Sequence, residues 1–511
     1  MLSRKILLFN TVKFLKPIQI WYRLYYFARK KIRDTIGKKP LFSKESTIKL
    51  LNLIESIHII DCYKGQNRFI FLNLDKKFEG KIDWNYSEYG KLWTYNLTYF
   101  DYLSQDNQED NLSLMNSFVD DISTIKDGLE PFPISLRGIN WIKYLSYNSI
   151  RDKNIENSLY AQYYILLDNL EYHLLGNHLL ENGFSLLFGA YYFEDEVLYQ
   201  KSKNILFEQL DEQILDDGAH FELSPMYHQI MLFRLLDCIN LVGNNSWKDK
   251  ELLEFLRTKA ELMLGWLENI SYSNGEIPLL NDSANSIAPT THQLFDYAKR
   301  LNLQVKTIEL NDSGYRKVSN NRYECVVDIG CIGAEYIPGH AHADTFSFEF
   351  RVDGKPFIVD TGLSTYETCD RRTVERSTCS HNTVEINGQN QSEVWGGFRV
   401  ANRAKVINIK ESNDSIEAIH NGYNSILHTR RWSFREDRVI IEDILNKSSN
   451  AVARFHFHPD VNEDDIVRSF DLEQYDFKIS SYMFSPEFNR QIDAKVLEIK
   501  FKRNLKVEIM V

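Results

Sequence analysis

The hydrophobic periodicity of this chain changes once, near residue 315, and this change constrains the fold more than any other feature. From about residue 45 to 305, apolar residues recur at the helical spacing of three and four. The clearest helical candidates lie near residues 111–125, 157–175, 178–193, 203–214 and 228–242. After residue 315, apolar and polar residues alternate, as around Phe346, Phe348 and Phe350, which indicates strands with one buried face.

This pattern predicts an α+β multidomain chain in which a helical part precedes a β-sheet part. We expect residues 1–44 to form an arm, residues 45–310 a helical array or toroid, and residues 311–511 an antiparallel β-sandwich. The first helix of the array is predicted at Leu50, Leu51, Ile54 and Ile57. Hairpin turns are predicted at Asp353-Gly354 and Asn387-Gly388. No low-complexity segment separates the two halves, so we expect them to pack extensively.

Composition excludes several classes of protein. In a chain of 511 residues, 43% apolar and 13% aromatic side chains exclude a disordered or collagenous chain. The six cysteines are scattered without a C-x-x-C pair, which predicts free thiols. A net charge of −11 gives no support to nucleic-acid binding, and no apolar run is long enough to predict a transmembrane helix.

The first 40 residues carry the strongest charge asymmetry of the chain. They contain eleven Lys or Arg and one acid, Asp34, hence about +10, against about −21 for the remainder. Aromatic and apolar residues, including Ile18, Trp21 and Tyr25, recur there at helical spacing. This pattern is typical of an interfacial helix on an anionic membrane, but an arm packed across the main body would show it too. No secretory signal is visible, so we expect a cytoplasmic or peripheral inner-membrane location rather than a periplasmic one.

Residues 339–344, Gly-His-Ala-His-Ala-Asp, form the sharpest local motif. Together with Asp360 and His381 downstream, His342 would supply the imidazole and carboxylate ligands that suit zinc. The alternative is that these polar residues lie at strand ends and are satisfied by backbone groups. The spacing leaves both open.

The expected hairpin sets a condition on this metal site. A two-residue turn at Asp353-Gly354 pairs Asp360 with Ser347, and His342 lies five residues earlier, about 17 Å along an extended strand. The chain must therefore bend before Phe346 if these residues are to share a metal.

Two further clusters lie in the helical half. His178 and Glu181 are three residues apart, so they share a helical face on which the carboxylate can orient the imidazole. Ser224 and the proline after it predict a helix start that places Tyr227 in the first turn, where the helix dipole favours a phenolate. A hydrogen-bond network at a helix end and simple aromatic packing are the structural alternatives.

Seven short stretches, taken in order, resemble those of the heparinase II/III-like polysaccharide lyases. The stretches are residues 84–86, 92–97, 177–182, 224–228, 339–344, 357–362 and 381–384. The resemblance implies an N-terminal α/α toroid, a C-terminal antiparallel β-sandwich and a long cleft between them. It also implies β-elimination on a uronate-containing polysaccharide.

In such lyases the roles follow the motifs. The resemblance implies that Asn177 and His178 neutralise the uronate carboxylate and that Glu181 orients His178. Tyr227 would abstract the C5 proton or protonate the leaving oxygen, with His340 as its acid or base counterpart.

The resemblance also implies ligands and partners. His342, Asp360 and His381 match zinc ligands with a structural role. Candidate substrate contacts are Arg137, Asn140, Trp141, Tyr366 and Arg376. The implied partner is an acidic polysaccharide or oligosaccharide. The missing secretory signal and the net charge of −11 depart from the degradative members of the family, and they indicate capsule or other surface-polysaccharide metabolism. A hydrolase or transferase of such a system, or a non-catalytic glycan-binding protein, would be the alternatives.

Overall fold

A computed structural model describes residues 2–105, 110–248 and 250–511, so Met1 of the predicted arm lies outside it. The helices are α1 Leu2–Val12, α2 Pro17–Ile36, α3 Lys91–Tyr99, α4 Asn111–Asp121, α5 Pro131–Tyr147, α6 Lys153–Asp168, α7 Gly176–Phe193, α8 Glu196–Gln213, α9 Pro225–Asn244, α10 Glu251–Ile270, α11 Thr291–Arg300, α12 Asp370–Glu375 and α13 Glu463–Ser469. The strands are β1 Arg68–Phe71, β2 Leu74–Lys77, β3 Tyr315–Ser319, β4 Tyr323–Asp328, β5 Phe348–Val352, β6 Lys355–Ile358, β7 Val384–Ile386, β8 Val394–Trp395, β9 Arg399–Val400, β10 Val406–Ser412, β11 Ser415–Tyr423, β12 Ile426–Phe434, β13 Arg438–Leu445, β14 Ala451–His456, β15 Asp476–Glu487, β16 Arg490–Phe501 and β17 Asn504–Met510.

The helical half is an α/α toroid. Helices α3, α5, α7, α9 and α11 contact one another in succession, and α6, α8 and α10 each pack against members of this row. Helix α7 is buried along almost its whole length, as expected of an element covered on both sides. Because successive helices alternate in direction, the N-termini of α5, α7 and α9 lie at the same end of the toroid.

The first predicted helix of the array is wrong. Residues 50–57 form neither helix nor strand, although their apolar residues have helical spacing. The side chains of α9 explain the difference: Asn240 Oδ1 accepts a hydrogen bond from Ile54 N at 3.0 Å, and Asn245 Oδ1 accepts one from Asn52 N at 3.0 Å. Backbone groups bound in this way are unavailable for the hydrogen bonds of a helix.

The sheet half is an antiparallel β-sandwich. One sheet has the order β3-β4-β5-β6, a second β15-β16-β14-β7, and a third, five-stranded sheet β10-β11-β12-β13-β17. Side chains from all three meet in one core, including Phe348, Phe350, Trp432, Phe455 and Leu497. The predicted fold class is confirmed.

Both predicted hairpin turns are present. Asp353 and Gly354, between β5 and β6, have φ of 48° and 75°, and Asn387 and Gly388, after β7, have φ of 53° and 66°. Positive φ at both central residues is the requirement of the tight turn that matches strand twist, and Asn-Gly and Asp-Gly meet it with little strain.

The two halves share apolar contacts. The core of the toroid continues into the sandwich through Tyr315, Val326, Leu363 and Phe488, which confirms the expected extensive packing. The six cysteines are free, as predicted. Among the helices within the described ranges, none combines the length and the apolar character needed to cross a bilayer.

Candidate active site

Two inner helices of the toroid begin at the candidate site. Asn177 is the second residue of α7, and its backbone N–H donates to Glu222 Oε1 at 3.0 Å. Gly176 allows this contact, because a Cβ there would lie 2.7 Å from the same Glu222 oxygen. At the start of α9, the predicted cap is confirmed: Ser224 Oγ accepts from Tyr227 N at 3.2 Å.

His340 brings these helix ends together with the sandwich. Its imidazole stacks on the ring of Tyr227 with 3.8 Å between centroids and 28° between planes. Its Nε2 lies 3.4 Å from Asn177 Nδ2, and its Nδ1 lies 2.9 Å from Asp282 Oδ2. The hydroxyl of Tyr366 donates to that of Tyr227 at 3.2 Å. The predicted Asn177, Tyr227, His340 and Tyr366 therefore form one contiguous cluster.

The protonation state of Tyr227 differs from the expectation at the helix N-terminus. Burial raises its pKa well above the usual value of 10, and the negative Asp282 and Glu222 add to the effect against the opposing hydrogen bond from Tyr366. Desolvation of the phenolate outweighs the helix dipole, whose contribution is small. Tyr227 is thus a neutral phenol in the resting protein.

Asp282 is the central charged residue that sequence analysis missed. It is fully buried in the loop between α10 and α11, and Arg372 clamps it with hydrogen bonds of 2.5 and 2.7 Å. Its Oδ1 lies 2.7 Å from His342 Nε2, so one carboxylate holds His340, His342 and Arg372. Its sequence context, Leu-Asn-Asp-Ser, gave no signal, because these contacts come from distant segments.

The carboxylate beside His178 is Glu171, so the prediction for Glu181 is wrong. His178 Nδ1 lies 3.1 Å from Glu171 Oε1, in the loop before α7. Burial opposes the charge on His178, but Glu171 outweighs it and raises the pKa of the imidazole. Glu181 is fully buried and lies 3.1 Å from Arg234 Nε on α9. Although Glu181 and His178 share one face of α7, the side chain of Glu181 is buried against α9 and does not contact the imidazole.

Three predicted substrate contacts are instead core residues. Arg137 has no exposed surface; its Nε donates to Gln162 at 2.8 Å and its Nη1 to the Thr98 carbonyl at 2.9 Å. Trp141 is also fully buried, with its ring against Phe100.

Arg376, the third, is 1% exposed and donates to the carbonyls of Ala341 and Gly397 at 2.8 Å each. All three side chains are buried in the scaffold, where most of their polar atoms bind the protein; Arg137 Nη2 and Trp141 Nε1 are buried without a hydrogen-bond partner.

Asn140 lines a cavity, and Phe398 exposes its ring to solvent. Asn140 is half-buried and lines a cavity of about 490 Å³ together with Arg234 and Phe488. Phe398, which sequence analysis missed, is 43% exposed, and its ring centroid lies 5.3 Å from that of Tyr366. An exposed aromatic ring beside the cluster is suited to stacking on a pyranose.

The predicted metal residues are close together and fully buried. The rings of His342 and His381 lie 5.2 Å apart, and His381 Nδ1 lies 2.8 Å from Asp360 Oδ2. His342 Nδ1, His381 Nε2 and Asp344 Oδ2 are buried without a hydrogen-bond partner. Within the described ranges, no three or more His, Cys, Asp or Glu side chains are already arranged as a group that could hold a metal. The two buried imidazole nitrogens that lack a hydrogen-bond partner are nonetheless suited to binding a metal ion.

The chain bends as the metal hypothesis required. Phe346 has φ of 71°, and β5 begins only at Phe348, so His342 lies in a loop and not on an extended strand. A bulge between Phe350 and Arg351 shifts the hairpin register, so the predicted pairing of Asp360 with Ser347 is wrong.

Comparisons with known proteins agree with this architecture. Residues 155–303 match the model of the heparinase II/III N-terminus, and residues 305–492 match that of the heparinase II/III-like C-terminal domain. A heparin-sulfate lyase of Bacteroides stercoris is 23% identical over 315 residues, and one of Bacteroides thetaiotaomicron is 23% identical over 269 residues. These alignments cover 55% and 44% of this chain, but only 45% and 37% of the relatives.

Solved structures share the fold over most of the chain. A crystal structure of heparinase III superposes with a TM-score of 0.67 at 16% identity, covering 97% of this chain and 91% of that one. A heparan sulfate lyase of Pedobacter heparinus gives 0.56 at 16% identity, covering 87% and 81%. With two family models together spanning most of residues 155–492, this chain belongs to the heparinase II/III-like family.

Proposed function

We propose that this protein is a polysaccharide lyase that cleaves a uronate-containing polysaccharide by β-elimination. The observation that carries the proposal is the stack of Tyr227 on His340, with Asn177 3.4 Å from the same imidazole. An acid, a base and a carboxylate-binding amide are thereby gathered at helix N-termini, whose partial positive charge favours an anionic ligand.

Neutralising the uronate carboxylate is the first requirement of the reaction. The C5 proton is weakly acidic while the adjacent carboxylate is charged, and the enolate-like transition state needs donors placed in advance. The amide of Asn177 and the imidazolium of His178 supply them, because Glu171 raises the pKa of His178 and so favours its protonated form.

The environments of the two central residues suggest how they divide the proton transfers. Tyr227 is a neutral phenol, since burial raises its pKa, and it is therefore ready to protonate the leaving glycosidic oxygen. We assign the C5 proton to His340 Nε2, because the Asp282 carboxylate 2.9 Å from Nδ1 holds the ring through its other nitrogen. The product would carry a C4–C5 double bond at the new non-reducing end.

We also propose that His342, Asp360 and His381 hold a structural zinc ion. The partnerless His342 Nδ1 and His381 Nε2 support it, and Asp344 offers a further partnerless oxygen nearby in sequence. A bound zinc would tie the loop that carries His340 to the strands of the sandwich. The elimination itself needs no nucleophile, so the proton transfers are assigned to the side chains alone.

Heparin and heparan sulfate are the first substrates to test, since the relatives are named heparin-sulfate lyases. Other uronate polymers and a bacterial surface glycan complete the panel, in keeping with a role in surface-polysaccharide metabolism. The assay follows the ultraviolet absorbance of the new double bond alongside the release of reducing ends. Both signals rising together support the proposal. New reducing ends without the absorbance would indicate a hydrolase, and retention of polymer without any cleavage would indicate a glycan-binding protein.

A further inference from the structure

The helix α2 at the N-terminus packs on the toroid with its polar side. Gln19 is buried and its Nε2 donates to a backbone carbonyl of the loop before α7 at 2.9 Å. Two turns further along α2, on the same side, the Tyr26 hydroxyl donates to a carbonyl of the same loop. Arg29 and Arg33 follow on this side, and both pair with Asp168. Hydrogen bonds and ion pairs therefore fix the orientation of this helix.

The opposite side of α2 is apolar and faces solvent. Leu24 is 66% exposed and Phe27 is 72% exposed, on the side that the 3.6-residue period places away from Tyr26. Other exposed apolar side chains of the helix are Ile20, Trp21, Tyr25, Ile32 and Ile36. A surface helix of a soluble domain normally buries its apolar stripe and exposes its polar one. In α2 this arrangement is inverted.

Helix α1 also exposes apolar side chains. Phe9 is 71% exposed and Ile6 is 53% exposed, with Leu8 and Val12 also open. Two contacts hold the end of α1 on the sandwich: Trp395 Nε1 donates to Thr11 Oγ1 at 3.1 Å, and the Arg403 guanidinium lies 3.7 Å from the Phe14 ring centroid. Both helices are thus anchored through some side chains while many of their largest apolar ones stay in water.

The charge of the arm indicates what covers this surface. Eleven Lys or Arg against one acid fall within residues 1–40, in a chain whose net charge is −11. Lys31 is exposed on the apolar side of α2, Arg23 and Lys30 are exposed nearer the side that docks on the toroid, and Arg4, Lys5 and Lys13 are exposed on and just after α1. An anionic lipid surface offers negative headgroups for these cations and acyl chains for the apolar side chains. A second copy of the chain would instead bring two strongly basic arms together.

We propose that residues 2–39, which include α1 and α2 of the predicted arm, dock the protein on the surface of an anionic lipid bilayer. Leu24, Phe27 and Phe9 enter the boundary between headgroups and acyl chains, and the flanking Lys and Arg contact the phosphates. Trp21 and Tyr25 lie at the headgroup level, where amphipathic aromatic rings are favoured. Vesicle binding is measured without the lyase reaction, so its outcome does not depend on the proposed activity, although α2 binds the loop that carries Glu171.

Cosedimentation of the full chain with vesicles tests the proposal. We expect the protein to pellet with vesicles of equal parts phosphatidylglycerol and phosphatidylcholine, and to stay in the supernatant with pure phosphatidylcholine. Leu24→Glu/Phe27→Glu should weaken binding by about tenfold or more. The matched control Val197→Glu/Val467→Glu places the same charges at exposed apolar sites of α8 and α13 and should bind as the wild type does. Equal binding by the two double variants, or none by the wild type, would overturn the proposal.

A second measurement uses the wild type and a mild variant at Trp21, a side chain that is 57% exposed. Brominated lipids should quench part of the wild-type tryptophan emission, and this part should be missing in Trp21→Phe. Sedimentation velocity without lipid checks the competing occupant: a monomer is expected. A dimer that Leu24→Glu/Phe27→Glu dissociates would assign the surface to a second copy of the chain and would refute membrane docking.

Discussion

The ring of Tyr227 lies over the imidazole of His340 with 3.8 Å between their centroids. Tyr227 stands in the first turn of α9 in the toroid, and His340 lies in a loop just before β5 of the sandwich. The contact therefore exists only where the two halves pack together. It places the acid and the base of the proposed lyase next to each other. Variants of the two residues can therefore be compared to decide which one is the acid and which one is the base.

The acid role of Tyr227 predicts a dependence on the leaving group. Tyr227→Phe should slow cleavage of a natural uronate polymer by about 10²–10⁴-fold, because the leaving oxygen must depart without a proton. On a uronide with a good leaving group at C4, such as an aryl ether, the same variant should lose far less. His340→Ala should be slow on both substrates, since the C5 proton must still be removed. Rescue of His340→Ala but not of Tyr227→Phe would exchange the two roles.

The charge on His178 predicts a pH dependence. Its pKa is raised by Glu171, so the imidazolium persists to higher pH, and activity should fall as the pH rises through that raised pKa. Glu171→Gln removes the negative neighbour and should move this fall to lower pH, whereas Glu181→Gln should move it less, because Glu181 lies against Arg234. Profiles of kcat/KM against pH provide the comparison. A larger shift in Glu181→Gln would restore the sequence-based assignment.

The same pair predicts how stability varies with pH. A raised folded-state pKa means that the pair stabilises the protein fully below the unfolded pKa of about 6.5. This stabilisation is lost as the pH rises through the raised value. The difference in free energy of unfolding between wild type and Glu171→Gln should therefore shrink on going to alkaline pH. A difference that grows with pH would contradict the pairing.

Asp282 should be a major determinant of stability as well as of the site. Asp282→Ala leaves the buried guanidinium of Arg372 without a countercharge and should lower the free energy of unfolding by about 3–5 kcal/mol. Asp414→Ala, which breaks the exposed pair with Arg435, is the control and should have a much smaller effect. Chemical denaturation measures both. Equal effects would show that the buried contact contributes no more than a surface ion pair.

Metal analysis tests the zinc proposal without reference to activity. We expect close to one zinc per chain in the purified protein and a loss of it in His381→Ala. His428→Ala removes another fully buried imidazole of the sandwich, one that lies 2.7 Å from Asp443, and should keep the zinc while losing stability. A metal-free wild type of full stability would reject the site.

Arg137 and Asn140 should separate stability from substrate binding. Arg137→Met leaves the buried Gln162 and Thr98 oxygens without a donor, so we expect a loss of about 3 kcal/mol of stability and an unchanged KM. Asn140→Ala, at the cavity wall, should raise KM, and it should lose less stability than Arg137→Met because the hydrogen bonds of Asn140 to Tyr99 and Asp101 are only partly buried. An increased KM in Arg137→Met, at temperatures where it remains folded, would return Arg137 to the substrate site.

Much of the fold could be predicted from local patterns in the sequence. The change from a helical period to alternation located the two halves, and the turns at Asp353-Gly354 and Asn387-Gly388 followed from the few residues that accept positive φ. The cap at Ser224 was equally local, since its hydrogen bond spans three residues. Such features depend on neighbours along the chain, which a sequence displays directly.

Sequence-based predictions failed where contacts with residues far away in the chain determined the local structure. The segment 50–57 has helical spacing, yet Asn240 and Asn245 from α9 bind its backbone N–H groups and it forms no helix. Glu181 shares a helical face with His178, but Glu171 reaches the imidazole through a turn that no periodicity describes. A helical wheel also cannot tell whether a given face meets protein or water, and α2 presents its apolar side to solvent.

The sequence by itself determined the order of helices and strands, the tight turns and the residue types available for acid–base chemistry, because these follow from local sterics and side-chain chemistry. Only the tertiary structure decided which residues meet. Asp282 joins His340, His342 and Arg372, and burial raises the pKa of Tyr227 where the helix dipole alone would lower it. Desolvation and ion pairing depend on distances in space between segments far apart in the chain, and those distances exist only after the toroid and the sandwich have packed.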